Sequence, residues 1–262
     1  MPPVTLFDTH CHLDVPAFDE DREAVWARAQ LAGVSKLLNP AYDMESSRRA
    51  LALAQTDSAF VCAVGIHPNS INELTQKCLC ELEQLARGAS KVVAIGEIGL
   101  DYHWDTHPRQ VQRDGFVQQI KLAQQLRLPI IIHCRDAYDD CMEILLDEVK
   151  GDMAVPVLLH SFAGSPAHAR VAVERGWFLG IGGPITYKKS HELRDIVKRT
   201  PLEQLVIETD APYLPPEPYR GKRNEPAHVR LVAERIAELR GLSLEHIADI
   251  TLTNAKRLFN LA

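Results

Sequence analysis

An apolar stretch from Val4 to Phe7 leads into Asp8-Thr9-His10-Cys11-His12-Leu13-Asp14, which sets two histidines at spacing i, i+2. In an extended strand that spacing puts both imidazoles on one face, where they can share a cation, and turns Cys11 the other way. A His-x-His pair alone is equally an ordinary surface or strand-end feature. Its weight comes from four later strand-like segments that also end in a potential ligand: Glu97 after Ile95-Gly96, His133 after Ile132, His160 after Leu159, and Asp210 after Ile207-Glu208-Thr209. Singly, each has a packing explanation: a turn at Glu97, core histidines at His133 and His160, a helix N-cap at Asp210. Taken together with His10 and His12, they read as a metal site.

Four histidines and two carboxylates exceed what one tetrahedral ion uses. A two-ion site, with a carboxylate bridging cations about 3.5–4 Å apart, accommodates all of them. The expected division is His10, His12 and Asp210 on one divalent ion, His133 and His160 on the other, and Glu97 bridging both. Donors restricted to nitrogen and oxygen suit Zn2+, Mn2+, Co2+ or Mg2+ and disfavour Cu(I) or iron–sulfur clusters. Such ions acidify water toward neutral pH, and Asp210 is then placed to take the proton and pass it to a leaving group, which is the chemistry of a hydrolase.

These residues need a scaffold that gathers strand ends. Apolar runs of β-type composition occur at Val4–Phe7, Lys36–Asn39, Phe60–Gly65, Val92–Gly96, Pro129–Ile132, Val155–Leu159, Phe178–Gly182 and Leu205–Glu208. Eight such runs in 262 residues leave roughly 33 per repeat, the size of one βα unit. Continuous apolar stretches such as Val92-Val93-Ala94-Ile95 fit strands buried on both faces. Helical periodicity covers Asp19–Leu31, Met44–Ala54, Ile71–Ala86, Arg109–Leu126, Ala137–Val149, Pro166–Arg175, His191–Arg199, Pro226–Arg240 and Leu244–Phe259. The pattern predicts an α/β fold, a (β/α)8 TIM barrel forming a single domain over residues 1–262, with the metal site at the C-terminal mouth of its strands. A doubly wound sheet is the weaker alternative, since it spreads ligands from the first, fourth, fifth, sixth and eighth strands along an edge.

Composition sets limits. The chain is 46% hydrophobic and 24% charged, enough for a sizeable core, and no segment is long and apolar enough to span a membrane. Met1-Pro2-Pro3 runs straight into the first strand with no room for a leader, so a cytoplasmic location is expected. Six cysteines lack zinc-finger spacing and read as free thiols; Cys78-Leu79-Cys80 on a helix diverge rather than pair. A net charge of −6 argues against a surface that coats nucleic acid, but not against a nuclease whose bound cations draw phosphate locally. No obligate protein partner is evident.

Asp8-Thr9-His10-Cys11-His12-Leu13-Asp14, Gly65-Ile66-His67-Pro68, Gly96-Glu97-Ile98-Gly99-Leu100-Asp101, Ile132-His133-Cys134-Arg135, His160-Ser161-Phe162 and Glu208-Thr209-Asp210-Ala211-Pro212-Tyr213 follow one another in an order that resembles the TatD family of metal-dependent deoxyribonucleases, within the amidohydrolase superfamily. The resemblance runs from Asp8 to about Pro226. It implies a TIM barrel, divalent-metal hydrolysis of phosphodiester bonds at DNA ends, often 3′→5′, and the same six ligands: His10, His12, Glu97, His133, His160 and Asp210.

Substrate contacts must come from loops around those ligands. Tyr219-Arg220-Gly221-Lys222-Arg223-Asn224 gathers three cations after the eighth strand, where barrel enzymes often bind phosphate, so Arg220, Lys222 and Arg223 are candidates. Arg135, directly after a ligand, can fix a phosphate oxygen bidentately. His67 and His103, with Asp101, are placed to orient ligands or substrate. Tyr187 and Tyr213 offer rings for a base. The competing reading is an amidohydrolase or an esterase acting on a carbonyl substrate such as D-aminoacyl-tRNA, since the same attack works on carbonyl carbon. Many such barrels bridge their ions with a modified lysine; here the fourth strand offers Glu97.

Overall fold

A computed structural model describes residues 4–104 and 106–262; the expectation built on Met1-Pro2-Pro3 lies outside them. The strands are β1 (Leu6–Asp8), β2 (Val34–Pro40), β3 (Phe60–Val64), β4 (Val92–Asp101), β5 (Ile130–Arg135), β6 (Val157–Leu159), β7 (Phe178–Ile181) and β8 (Leu205–Ile207). The helices are α1 (Arg22–Leu31), α2 (Met44–Thr56), α3 (Gln76–Gly88), α4 (Arg109–Leu126), α5 (Tyr138–Glu148), α6 (Pro166–Glu174), α7 (His191–Arg199), α8 (Val229–Arg240) and α9 (Leu244–Leu258). One sheet holds all eight strands in the order β1 to β8, and the pairings resolved along it are parallel. Past β8 the backbone returns to β1: Thr9 N–H donates to Ile207 O at 3.1 Å, Asp210 N–H to His10 O and His12 N–H to Ala211 O, each at 2.8 Å. That return makes the fold a (β/α)8 barrel and excludes the open, doubly wound alternative. Among the described residues, no helix is long and apolar enough to cross a membrane.

Backbone packing resolves two compact units. The first takes the chain up to Asn39 with Ser161–Arg257 and Leu261–Ala262, and so contains β7, β8, β1 and β2. Its strands are buried throughout except at Ser35 and Lys36. α6 starts at a capping box in which Ser165 Oγ accepts from His168 N–H, with Pro166 at the first helical position. α8 stops at Gly241, whose φ of 64° is the left-handed conformation common after a helix.

The second unit, Pro40–His160 with Leu258–Asn260, contains β3 to β6. All ten residues of β4 are buried, which explains their unbroken apolar character better than an alternating pattern would. α4 covers this sheet with Phe116, Ile120 and Ala123, all out of water; burying a Phe side chain fully is worth about 1.5–3 kcal/mol. α2 begins where Asp43 Oδ1 accepts Ser46 N–H at 2.6 Å.

The two largest boundary differences from the sequence expectation are in β4 and α3. β4 does not end at Gly96 but continues to Asp101, and a bulge absorbs the irregular step: Ile95 pairs with Ile130 and Ile98 with Ile132, so three steps on β4 match two on β5. Glu97 lies inside that bulge rather than at a strand end, and bulges re-aim the side chains they carry. α3 begins at Gln76 rather than Ile71, because Pro68–Glu73 forms a 3-10 turn and Thr75 Oγ1 accepts the Cys78 N–H that opens the helix. Cys78 faces inward and Cys80 faces solvent, as divergent i, i+2 positions on a helix must.

Gly99 lets β4 approach β5 beside a candidate ligand. Its φ is 140°, and a Cβ there would sit 2.0 Å from His133 O, a backbone atom that cannot step aside. Gly99→Ala is therefore expected to lower unfolding free energy by about 3 kcal/mol. Gly88→Ala, at the end of α3 with nothing within 4 Å of its would-be Cβ, should be neutral or slightly stabilising. Urea unfolding of the two variants beside wild type checks both.

Candidate metal centre

In the first unit the residues following β1 and β8 converge. His10 Nε2 and His12 Nε2 are 3.3 Å apart, and Asp210 Oδ1 lies 3.8 and 3.6 Å from them. His10 and His12 are buried, and their rings meet edge-on at 78°. Asp210 has φ 56°, in the left-handed region where Asp is one of the few tolerated non-glycine residues. Neighbours hold it there. Its N–H donates to His10 O and its carbonyl accepts Tyr213 N–H, both at 2.8 Å.

Two residues that sequence reasoning did not single out build this corner. Asp8, fully buried at the end of β1, accepts Thr209 N–H at 2.9 Å, Thr209 Oγ1–H at 2.5 Å and His10 N–H at 3.3 Å. Burial pushes its carboxyl well above the usual range, against the pull of those hydrogen bonds. Asn224, also fully buried, donates from Nδ2 to Thr209 O at 2.8 Å and Tyr213 O at 2.7 Å, and its Oδ1 accepts Glu225 N–H at 2.9 Å. It therefore clamps the backbone on both sides of Asp210.

In the second unit Glu97 Oε1 lies 2.7 Å from His133 Nδ1 and 2.9 Å from His160 Nε2, a cluster whose three donor atoms can reach one ion. The far side of the His133 ring is held by a carboxylate, with Nε2 3.0 Å from Asp101 Oδ2. An outer carboxylate of this kind fixes the tautomer and rotation of a ligating histidine. Asp101 Oδ1 also accepts the N–H groups of His103 at 2.9 Å and Trp104 at 3.2 Å. Burial opposes charge on His133, but its bonds to Asp101 and Glu97 prevail and raise its pKa. Burial likewise opposes charge on Asp101, yet His133 and the two N–H groups hold its carboxyl below the usual carboxylate range. His67 Nδ1 accepts Asn69 N–H at 3.0 Å, leaving the proton of the neutral ring on Nε2, 3.8 Å from Glu97 Oε1. Burial, then the neighbouring His133, pushes its pKa down to about 3, so the ring is uncharged at neutral pH.

The donor chemistry fits divalent ions of the Mg2+, Mn2+, Co2+ and Zn2+ kind. Sulfur is kept out of the set although Cys11 and Cys134 adjoin ligand candidates. Burial pushes the Cys11 thiol well up, and a hydrogen bond with Cys141, then burial, does the same for Cys134.

The candidate substrate residues separate by what already engages them. Arg135 sits over the Trp104 ring at 5.4 Å, and exposed His103 meets Asp136 Oδ2 at 3.0 Å. Arg220 stacks over Tyr187 at 4.0 Å, and Lys222 lies 6.0 Å from the Tyr219 ring. Arg223 is different. It donates to Ala17 O at 2.6 Å and to both Asp21 oxygens at 2.8 and 2.7 Å, with Phe18 beneath it at 4.6 Å. Its guanidinium ties the loop after β8 to the turn before α1.

Because Asn224 supplies buried donors that no neighbour replaces, Asn224→Ala is expected to cost about 2–4 kcal/mol of stability. Asn224→Asp, which keeps the acceptor but loses both donors and adds a buried charge, should be no better. Urea unfolding measures the loss, and a variant within 0.5 kcal/mol of wild type, on the order of a neutral surface change, would remove Asn224 from this role.

Comparison with known proteins gives the family. A family model described as TatD related DNase matches residues 7–260. A Bacillus subtilis protein called uncharacterized metal-dependent hydrolase YabD is 43% identical over 256 residues, spanning 98% of this chain and 99% of that protein. A Shigella flexneri protein called 3'-5' ssDNA/RNA exonuclease TatD is 36% identical over 268 residues, spanning 98% and 100%. The crystal structure of YjjV, a TatD homolog from Escherichia coli, superposes with a TM-score of 0.92 at 36% identity, covering 98% of each chain. The chain belongs to the TatD family of metal-dependent hydrolases.

Proposed function

We propose that this protein is a deoxyribonuclease that hydrolyses phosphodiester bonds at DNA ends, in the 3′→5′ sense, using two divalent ions. The observation that carries the reading is the pair of nitrogen- and oxygen-only clusters on and just past the strands, His10–His12–Asp210 and Glu97–His133–His160. A relative named as an ssDNA/RNA exonuclease along its whole length supports the substrate class. In this reading His10, His12 and Asp210 would hold one ion, His133 and His160 the other, and Glu97 would serve both. When bound, the ions supply Lewis acidity toward the phosphate and lower the pKa of water.

The side chains do the rest. Asp210 accepts the proton of the attacking water and returns it to the departing sugar oxygen. Its left-handed backbone, held from both sides by Asn224, keeps the carboxylate beside the two imidazoles. Asp101 holds the His133 ring so that Nδ1 faces Glu97. Arg135, Arg220 and Lys222 bind phosphate oxygens, while His67 and His103 orient ligands or substrate. Arg223, bound to Asp21 and Ala17 O, shapes the loop that presents Arg220.

Purified protein loaded with Mg2+, Mn2+, Co2+ or Zn2+ and given single-stranded DNA, a cyclic amide and a D-aminoacyl-tRNA tests the reading. DNA cleavage that stops on chelation is expected. Glu97→Ala should lose both metal content and activity, and Asp210→Asn should keep the fold while turnover falls by roughly 10²–10⁴. Full activity in the Glu97 variant overturns the two-ion assignment, and cleavage of the carbonyl substrates alone overturns the nuclease.

The cations of the loop after β8 have a separate signature, in the salt dependence of binding. Replacing Arg220 and Lys222 by Ala should raise KM on DNA with little change in kcat, and flatten the slope of log affinity against log salt by about 0.7 for each phosphate no longer neutralised. Arg223→Ala should instead lower thermal stability. An unchanged salt slope in the double variant returns Arg220 and Lys222 to ordinary surface cations.

A further inference from the structure

Three tryptophans occur in the chain, and two are core residues: Trp26 is 9% exposed and Trp177 5%. Trp104 is 59% exposed. An exposed indole offers a ring face to a bound molecule, and this one has polar neighbours around it. Its backbone N–H, with that of His103, donates to Asp101 Oδ1. The His103 ring meets it edge-on at 88° and 4.9 Å, and the Arg135 guanidinium lies 5.4 Å from its centroid. Beyond, Thr106 Oγ1–H donates to Asn69 Oδ1 at 2.9 Å, and Asn69 Nδ2 donates to Asp101 Oδ2 at 3.3 Å. The carboxylate that holds the candidate ligand His133 thus also anchors the backbone that carries the indole.

Which molecule covers such a surface follows from its parts. A rigid π face rewards a flat heterocycle, by base–aromatic stacking that every nucleobase can provide. The guanidinium over the ring can pair with a phosphate attached to a heterocycle stacked on the other face. A cyclic amide or a dipeptide has no need of this combination. A paired base inside a duplex has both faces covered by its neighbours, so it cannot stack on a protein ring without leaving the helix. Accordingly we propose that Trp104 is the stacking platform for an unpaired nucleobase of the substrate, with Arg135 on the adjoining phosphate. The inference rests on the nuclease reading and sharpens it: single-stranded or frayed ends are selected because their bases reach the indole. Trp104 is a binding and specificity residue, and proton transfer stays with Asp210.

The test uses the exposed indole as its own reporter. Metal-free full-length protein is titrated with a single-stranded oligodeoxynucleotide, and with an abasic oligomer of the same length that keeps the phosphates and lacks the bases. The base-bearing strand should quench tryptophan fluorescence and bind about 5- to 150-fold more tightly than the abasic one. Trp104→Ala should lose that preference and the quenching, Trp104→Phe should retain part of the preference, and metal content should match wild type in both. With metal restored, Trp104→Ala should raise KM on single-stranded DNA far more than it lowers kcat. Cleavage of DNA by a Trp104→Ala protein with unaltered KM and base preference overturns the platform and leaves the nuclease standing. Trp104-dependent quenching without cleavage overturns the nuclease and leaves the platform. Neither quenching nor cleavage removes both.

Discussion

The carboxylate of Asp8 sits out of water between the ends of β1 and β8, and the first ligand cluster exists because of what it binds. Thr209 gives it two donors and His10 a third. A buried carboxyl with fewer partners is costly, since leaving such a group unsatisfied loses several kcal/mol of solvation that nothing replaces. The ends of the two strands are therefore drawn together, and with them His10 and His12 from one strand and Asp210 from the other. Neither Asp8 nor Thr209 is a candidate ligand. They decide where the ligands are.

The second unit solves the same problem with a different carboxylate. Asp101 reaches back from the far end of β4 to the His133 ring, and the bulge at Gly96-Glu97 turns Glu97 toward His133 and His160. Opposing effects meet on this pair. Burial disfavours charge on both groups, while their mutual hydrogen bond favours it, and the hydrogen bond prevails on each side. Nearby His67 is kept neutral by burial and by the adjacent His133.

Much of this is legible from residue types and spacing. Strands buried on both faces announce themselves as apolar runs, and histidines and carboxylates placed just after such runs stand out because packing rarely asks for them there. What the sequence hides is of another kind. The bulge in β4 leaves a Gly-Glu pair that reads as the end of a strand, because composition does not distinguish a turn from an irregular step in a ladder. The start of α3 falls later than periodicity suggests because Pro68–Glu73 has a residue mix suited to either helix type, and the choice falls to one hydroxyl, that of Thr75. Asn224 is hidden among cations, its role defined by carbonyl groups 11 and 15 residues away. Arg223 is indistinguishable from Arg220 by charge, since the acceptors that engage it lie 202 and 206 residues earlier.

That last separation has a temporal meaning. Asp8 and Thr209 are 201 residues apart, whereas Glu97 and His133 are 36 apart and joined by neighbouring strands. A ribosome that adds about 5–20 residues per second exposes the His10–His12 pair for about 10–40 s before its carboxylate partner has been made. During that interval the two imidazoles lack the Asp210 carboxylate and are open to whichever strongly binding cation is in excess. The arrival of β8 ends the exposure. Closing the barrel is then also the step that surrounds the first pair of nitrogens with oxygen, and the order of the chain makes it the last part of the centre to be formed.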